Sequence, residues 1–114
     1  MPADCLFCRM AAGEIPVAKV HEDEIVFAIR DINPQAPTHV LVIPVAHVRS
    51  AADLADADAP MLARLFAVAA EIARAEGLTE GFRLVANTGP DGGQTVPHLH
   101  IHLLGGRSMT WPPG

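Results

Sequence analysis

One seven-residue segment constrains the fold more than any other part of the chain. Residues 98–104 read His-Leu-His-Ile-His-Leu-Leu, so histidine and a large aliphatic residue alternate three times. Successive side chains leave a β-strand on opposite faces, whereas an i, i+2 pair on a helix would lie on nearly opposite sides. The segment is therefore predicted to be a strand that presents three imidazoles on one face, about 7 Å apart, and its aliphatic side chains to a core.

Three imidazoles in one row predict a functional site, because the chain has only six histidines in all. Two kinds of chemistry fit the row. A His-x-His pair on a strand can chelate a metal and leave one coordination position open for catalysis. Alternatively, the central imidazole of His100 can act as a nucleophile, with its second ring nitrogen fixed by a hydrogen bond.

Length and charge limit the class of protein. The 114 residues predict one domain, 1–114, large enough to bury a core. The formal net charge of −5, with no basic cluster, argues against a nucleic-acid groove. No apolar run is long enough to cross a bilayer, and the first residues do not resemble a signal peptide. The expectation is a cytoplasmic protein with no membrane or nucleic-acid partner.

Cys5 and Cys8 form a C-x-x-C motif near the start of the chain. In a reducing compartment this motif indicates metal or redox chemistry more than a structural disulfide. A thioredoxin-type motif would follow a strand, and no strand pattern precedes Cys5, which favours half of a zinc site over a redox pair. His47 is a candidate third ligand, although it could equally be solvated in a loop. Two unligated thiols at a helix start remain an alternative.

The remaining elements follow from hydrophobic periodicity and turn residues. They are a short helix over 6–12, strands over 17–21 and 25–29 that form an antiparallel hairpin, a buried strand over 39–44, one long helix within 53–77, and a strand over 82–87. Asp58 is expected to cap the long helix and Gly77 to end it. Its wide apolar stripe, from Met61 to Ala73, can serve a core and also a subunit interface.

Two further features are placed where a ligand could meet the histidine row. The glycine-rich loop 88–97 leads directly into it, and glycine lets backbone N–H groups approach an anion closely. A ligand oxyanion held there would lie beside His100. Asp31 ends the second predicted strand, where it either meets a ligand or caps a turn.

The motif of residues 98–104 is similar to the signature of the histidine triad superfamily. Segments 31–44, 91–94, 105–107 and 111–114 resemble its Hint branch in particular, so the resemblance covers nearly the whole chain. It implies an α+β fold, with a five-stranded antiparallel sheet, one long helix and a short N-terminal helix. It also implies a homodimer whose subunits pair through helix and strand edge into a ten-stranded sheet.

The same resemblance implies hydrolysis of purine nucleoside 5′-phosphoramidates through a covalent nucleotidyl-histidine intermediate, with no catalytic metal. His100 resembles the nucleophile, His102 and His39 resemble the flanking imidazoles, and His98 is the first member of the row. The ligand would be a purine nucleoside monophosphate or its phosphoramidate. The nucleotide-binding positions implied are Asp31 for the ribose, Ile32 and Phe7 for the base, and Asn87, Gly93, Gln94 and Thr95 for the phosphate and leaving group.

Departures from the animal proteins of this branch are Thr95 in place of serine and Pro97 in place of tyrosine. The second departure affects the leaving-group preference. The C-x-x-C motif resembles the bacterial side of the superfamily, where it binds structural zinc with a histidine after the third strand and the first triad histidine. The implied zinc ligands are Cys5, Cys8, His47 and His98.

Three alternatives remain beside the phosphoramidase. A dinucleoside polyphosphate hydrolase of the Fhit kind belongs to the same superfamily, but the tail after residue 104 disfavours it. A nucleotide-binding regulatory or scaffold protein could use an intact site without catalysis. A catalytic metal centre built on the histidine row is disfavoured by the glycine-rich loop, which suits a phosphate.

Overall fold

The computed structural model describes residues 4–114, and it confirms the expected α+β architecture. The elements in chain order are α1 (Leu6–Ala11), β1 (Lys19–Glu22), β2 (Val26–Arg30), β3 (Thr38–Pro44), two 3₁₀ turns (Ala51–Asp53 and Asp56–Asp58), α2 (Ala59–Ala75), β4 (Phe82–Val85) and β5 (Ile101–Gly105). Within the described part of the chain, no helix has the length and apolar character that crossing a membrane requires.

The five strands form one antiparallel sheet in the order β1-β2-β3-β5-β4. The predicted hairpin of β1 and β2 is confirmed. β3 lies at the centre, and all seven of its residues are buried, which fits its unbroken apolar run. β5, which carries His102, is inserted between β3 and β4, so the end of the histidine segment lies inside the sheet.

The two faces of the sheet are covered by different helices. One core lies under α2 and contains Val26, Ala28, Val40, Val42, Leu65, Val68, Ala69, Ile72, Ala73, Leu99, Ile101 and Leu103. The second lies under α1 and contains Cys5, Phe7, Cys8, Phe27, Ile29, Leu41 and Ile43. The aliphatic residues of the histidine segment therefore pack beneath α2, as their alternation predicts, and the imidazoles belong to the face covered by α1.

The prediction that the strand begins at His98 is wrong by three residues, because β5 begins at Ile101. The backbone bends before it: the His98 N–H donates to the Val96 carbonyl (2.8 Å), and the Leu99 N–H donates to the Val48 carbonyl (2.6 Å). Pro97 has no N–H for a ladder. The alternation of side chains nevertheless continues through the bend.

Other strand and helix boundaries differ from the sequence prediction by one or two residues. The fourth strand ends at Val85, two residues earlier than expected. Asp58 occupies the N-cap position of α2, but its carboxylate accepts the Ala55 N–H (2.9 Å) and caps the preceding 3₁₀ turn instead. Gly77 follows α2 with φ of +72°, which suits the predicted helix stop.

Asp23 joins the β1–β2 turn to α2. Its Oδ1 accepts the N–H groups of Ile25 (2.8 Å) and Val26 (2.9 Å), and its Oδ2 lies 2.6 Å from His21 Nε2 and 2.9 Å from Arg64 Nη2. Partial burial alone would raise the pKa of the Asp23 carboxyl, but these hydrogen bonds outweigh it and hold the pKa below its usual range. One ionised carboxylate therefore satisfies donors from two layers of the fold.

Replacing Asp23 by Ala is expected to lower the free energy of unfolding by about 2–3 kcal/mol, because several donors lose a charged acceptor. Urea denaturation measures the change, and the exposed neighbour Glu24→Ala is the control, with an expected effect within about 0.5 kcal/mol. Because the folded-state pKa is lowered, the difference should be full above about pH 4 and shrink in acid. Equal effects of the two substitutions would contradict the assigned role.

Candidate active site and metal centre

His100 has a nearly buried side chain, with 6% of its surface exposed. Its Nδ1 lies 2.7 Å from the backbone carbonyl oxygen of His98. A carbonyl can only accept, so Nδ1 carries the proton and Nε2 of the neutral ring keeps a free lone pair. Burial lowers the pKa of His100 in spite of this hydrogen bond, which favours the neutral ring. A neutral imidazole with a fixed tautomer is suited to nucleophilic attack.

His39 and His102 form a second, ordered pair of imidazoles. The Gln35 N–H donates to His39 Nδ1 (3.0 Å), so the His39 proton lies on Nε2, 2.9 Å from His102 Nδ1. His102 then accepts at Nδ1 and carries its own proton on Nε2. Burial, reinforced by the nearby His100 and His39, lowers the pKa of His102 to about 4. The ring centroids of His100 and His102 are 5.0 Å apart.

Asp31 caps a turn, which is one of the roles that its sequence position allows, and it also lies beside the imidazole pair. Its Oδ1 accepts the Asn33 N–H (2.8 Å), which closes a turn, and its Oδ2 lies 3.4 Å from His39 Nε2, at the imidazole pair. The neighbouring Ile32 side chain is fully exposed. Asp31, His39 and His102 also bring possible metal-ligand atoms within 4.8 Å of one another.

Phe7 closes the site from the side of α1. Its ring is buried and contacts His98 and His100 edge-on, with ring centroids 5.7 and 5.1 Å apart. The helix that carries the C-x-x-C motif thus packs directly against the histidine with the free lone pair.

The glycine-rich loop is folded upon itself by Gln94. The Gln94 side chain accepts the Gly89 N–H (3.0 Å) and donates to the Arg49 carbonyl (2.8 Å). The Gly93 N–H is also used within the loop, by the Pro90 carbonyl (3.1 Å). Gly92 is required because a Cβ there would lie 2.4 Å from a backbone oxygen. Of the loop residues assigned to a phosphate, Thr95 is exposed and Asn87 is half-buried just before the loop.

Cys5, Cys8, His47 and His98 come together on the same face, with all four ligand atoms within 4.8 Å of one another. Nδ1 of His98 lies 3.4 Å from Cys5 Sγ, 3.5 Å from Cys8 Sγ and 3.1 Å from His47 Nδ1, and Cys8 Sγ lies 3.3 Å from His47 Nδ1. The edges of a tetrahedron around zinc with these ligands measure about 3.4–3.8 Å. The four side chains therefore fit a tetrahedral metal ion with small adjustments.

The chemistry of the donors also suits a cation. His98 Nε2 donates to the Pro44 carbonyl (2.8 Å), so its Nδ1 presents a lone pair to the cysteines. Burial, together with the adjacent Cys5, raises the pKa of the Cys8 thiol to about 11. Two thiolates in this buried place need a positive ion beside them.

Several groups that organise the site were missed by sequence reasoning. The Gln35 N–H and the Pro44 carbonyl fix the tautomers of His39 and His98, and both are backbone groups without a sequence signal. The structure also divides the histidine row, because His98 belongs to one cluster of possible metal ligands and His102 to another. In residues 4–114, neither cluster of possible metal ligands includes His100, which disfavours a metal centre built on the whole row.

Comparison with known proteins agrees with this geometry. The family model described as HIT domain matches residues 12–109. A 14 kDa zinc-binding protein of Zea mays is 49% identical over 111 residues, 96% of this chain and 87% of that protein. A solved HIT family hydrolase from Legionella pneumophila Philadelphia 1 is 54% identical with a TM-score of 0.95, over 97% of this chain and 100% of that one.

A histidine triad nucleotide-binding protein from Candida albicans is more distant. It is 30% identical with a TM-score of 0.81, over 96% of this chain and 83% of that chain. The family match extends from the residue after α1 to beyond β5 and includes the complete histidine segment. The chain belongs to the HIT domain family.

Proposed function

We propose that this protein is a nucleotide-binding hydrolase that cleaves the P–N bond of purine nucleoside 5′-phosphoramidates through a nucleotidyl intermediate on His100. The observation that carries the proposal is the hydrogen bond from His100 Nδ1 to the His98 carbonyl, which leaves the Nε2 lone pair free for phosphorus. The solved relatives described as a HIT family hydrolase and as a nucleotide-binding protein support the reaction class and the ligand class.

In the first step, Nε2 of His100 forms a bond to phosphorus and the P–N bond of the substrate breaks, releasing the amine. The ring becomes positively charged, and its Nδ1–H donates to the His98 carbonyl, which stabilises that charge. In the second step, water attacks phosphorus, its proton passes to His102, and His100 leaves as a neutral imidazole. The covalent adduct thereby replaces one difficult displacement with two easier ones.

His102 and His39 handle charge and protons at the phosphate. His102 Nε2–H is free to donate to a non-bridging oxygen, because His102 Nδ1 accepts from His39. A phosphate bound beside His102 raises its pKa, since an adjacent negative charge favours the protonated ring. The added proton occupies Nδ1 of His102, so the His39 Nε2–H donates to Asp31 Oδ2, 3.4 Å away, instead. The protonated ring then gives its Nε2 proton to the departing amine.

The nucleotide is proposed to lie with its ribose hydroxyls on Asp31 and its base against Ile32 and Phe7. Asp31 Oδ2 is 3.4 Å from His39 Nε2, so a ribose there places its 5′-phosphate at the imidazoles. On the phosphate side we assign Asn87, Gly93, Gln94 and Thr95. The amide groups of Gly93 and Gln94 are already bonded within the loop, so the Thr95 hydroxyl and the Asn87 amide make the first contacts.

Replacing His100 by Asn is expected to lower kcat by at least about 10³-fold, because the nucleophile is lost. Calorimetry should find AMP affinity nearly unchanged. Denaturing mass spectrometry of the wild type after brief incubation with an adenylate phosphoramidate should show a nucleotidyl adduct that the variant lacks. A variant that keeps a substantial fraction of wild-type turnover would exclude His100 as the nucleophile.

We further propose that Cys5, Cys8, His47 and His98 bind one structural zinc ion. The donor set and the interatomic distances fit tetrahedral zinc, and the Zea mays relative is described as zinc-binding. When bound, zinc supplies positive charge and cross-links α1, the segment after β3 and the bend before β5. Four protein ligands leave no open position for water, so this ion would not take part in the reaction.

Elemental analysis of protein purified without chelators should find about one zinc per chain. The double substitution Cys5→Ser, Cys8→Ser should lose the zinc and lower the melting temperature, because binding energy is then no longer coupled to folding. His100→Asn is the matched control and should retain the metal. Zinc-free wild-type protein, or loss of zinc from His100→Asn, would contradict the assignment.

We also propose a homodimer formed through β4 and α2. β4 is at an edge of the sheet, and Phe82 at its start is 44% exposed. Phe66 on α2 is 52% exposed, while the stripe residues around it fill the chain's own core. An open strand edge that carries an exposed aromatic side chain, and a second exposed aromatic side chain on α2, favour pairing with a second copy.

Sedimentation equilibrium at micromolar concentration is expected to give twice the chain mass. Phe66→Glu should shift the equilibrium toward the monomer, because it places a charge in the apolar contact. Val20→Glu is the control: Val20 is 37% exposed on β1, at the opposite edge of the sheet. A monomeric wild type, or equal effects of the two substitutions, would contradict this interface.

A further inference from the structure

We propose that Arg49 selects substrates whose amine leaving group carries a carboxylate, such as an amino acid joined through nitrogen to a nucleoside 5′-phosphate. This inference rests on the proposed function and adds a substrate class to it. Its basis is a cavity beside the glycine-rich loop, in which Arg49 supplies positive charge.

The cavity has a volume of about 490 Å³, within the usual range for a small-molecule site. Its lining includes Arg49, the hydroxyl-bearing Ser50, Thr88 and Thr95, and Gln94. Among the described residues that line it, Arg49 alone carries a charge. The chain as a whole is acidic, with a net charge of −5, so this is a local reversal of its charge. An anionic group fits such a lining better than a neutral or cationic one.

Backbone contacts bring this cavity close to the reacting centre. The carbonyl of Val48 accepts the N–H of Leu99 (2.6 Å), the residue between His98 and His100. Arg49 directly follows Val48, so its backbone is held near the histidine segment. The Arg49 carbonyl in turn accepts from Gln94 Nε2 (2.8 Å), which ties it to the loop. Thr95, assigned above to the leaving group, lines the same cavity. An amine that departs past Thr95 therefore meets the Arg49 side chain.

The guanidinium of Arg49 is accessible to a ligand. Its side chain is 71% exposed, and its Nε lies 3.3 Å from Asp53 Oδ2, whose side chain is 44% exposed. An exposed pair of this kind is weak, so Asp53 orients the arginine without withdrawing it from a ligand. The terminal nitrogens can form a planar, bidentate contact with a carboxylate.

A second cavity, which Arg49 and Thr95 also line, fits a carboxylate less well. Its volume is about 370 Å³, and it is lined by Asp4 together with the metal-site residues Cys5 and His47. The Asp4 carboxylate would repel an anion there. The cavity beside the glycine-rich loop is thus the one assigned to the leaving group.

The test compares adenosine 5′-phosphoramidates of glycine and of glycinamide, which differ in the carboxylate. Calorimetry on the His100→Asn protein gives the charge preference, defined as the affinity for the glycine compound divided by that for the glycinamide compound. Adding Arg49→Gln should lower this preference by roughly 3- to 10-fold, and Arg49→Lys should restore part of it. Asp53→Asn should raise it, because the competing carboxylate is removed. High salt should reduce it, since the pair is exposed.

Arg9→Gln is the matched control, because it makes the same change in net charge at an exposed position on α1. An unchanged charge preference in Arg49→Gln, or an equal loss in Arg9→Gln, would overturn the proposal. Turnover of the two compounds by the wild type is measured separately. If neither is hydrolysed, the proposed phosphoramidase activity fails, whereas the binding comparison still decides the role of Arg49.

Discussion

The hydrogen bonds of His98 hold the functional half of this molecule together. Its N–H donates to Val96 at the end of the glycine-rich loop, and its carbonyl accepts from the ring of His100. Its own ring donates to the Pro44 carbonyl at the end of β3 and turns Nδ1 toward the two cysteines. Because the side chain is fully buried, a group left without its partner would cost about 1–3 kcal/mol. One residue thus positions the loop, the strand, the candidate metal ligands and His100.

The same arrangement explains the place of α1. A helix of six residues is too short to be stable alone, so its position depends on tertiary contacts. Cys5 and Cys8 contact His98 and His47. Phe7, which lies between the two cysteines in the chain, packs against the rings of His98 and His100. The candidate metal centre and the candidate active site therefore both pack against α1.

The sequence predicts the outline of this site but not its detailed geometry. Alternation in residues 98–104 correctly divides imidazoles from core residues, because that pattern depends only on side-chain direction. Where the strand begins depends on its partner: β5 pairs with β3 from Ile101 opposite Val42, and beyond that point the Pro44 carbonyl bonds to a ring instead of a ladder N–H. Tautomers likewise depend on backbone groups such as the Gln35 N–H, which no side-chain pattern reveals.

Burial gives the imidazoles a property that matters for the proposed reaction on an anionic substrate. With its pKa lowered to about 4, His102 is neutral before a phosphate arrives, so the free site is not a fixed cation that would hold any passing anion. A bound phosphate changes this, since its charge favours protonation of the ring beside it. In the proposed reaction, the proton needed by the departing amine is thereby taken up together with the substrate. The buried pair of His39 and His102 is then neutral in the free site and able to donate a proton once the phosphate is bound.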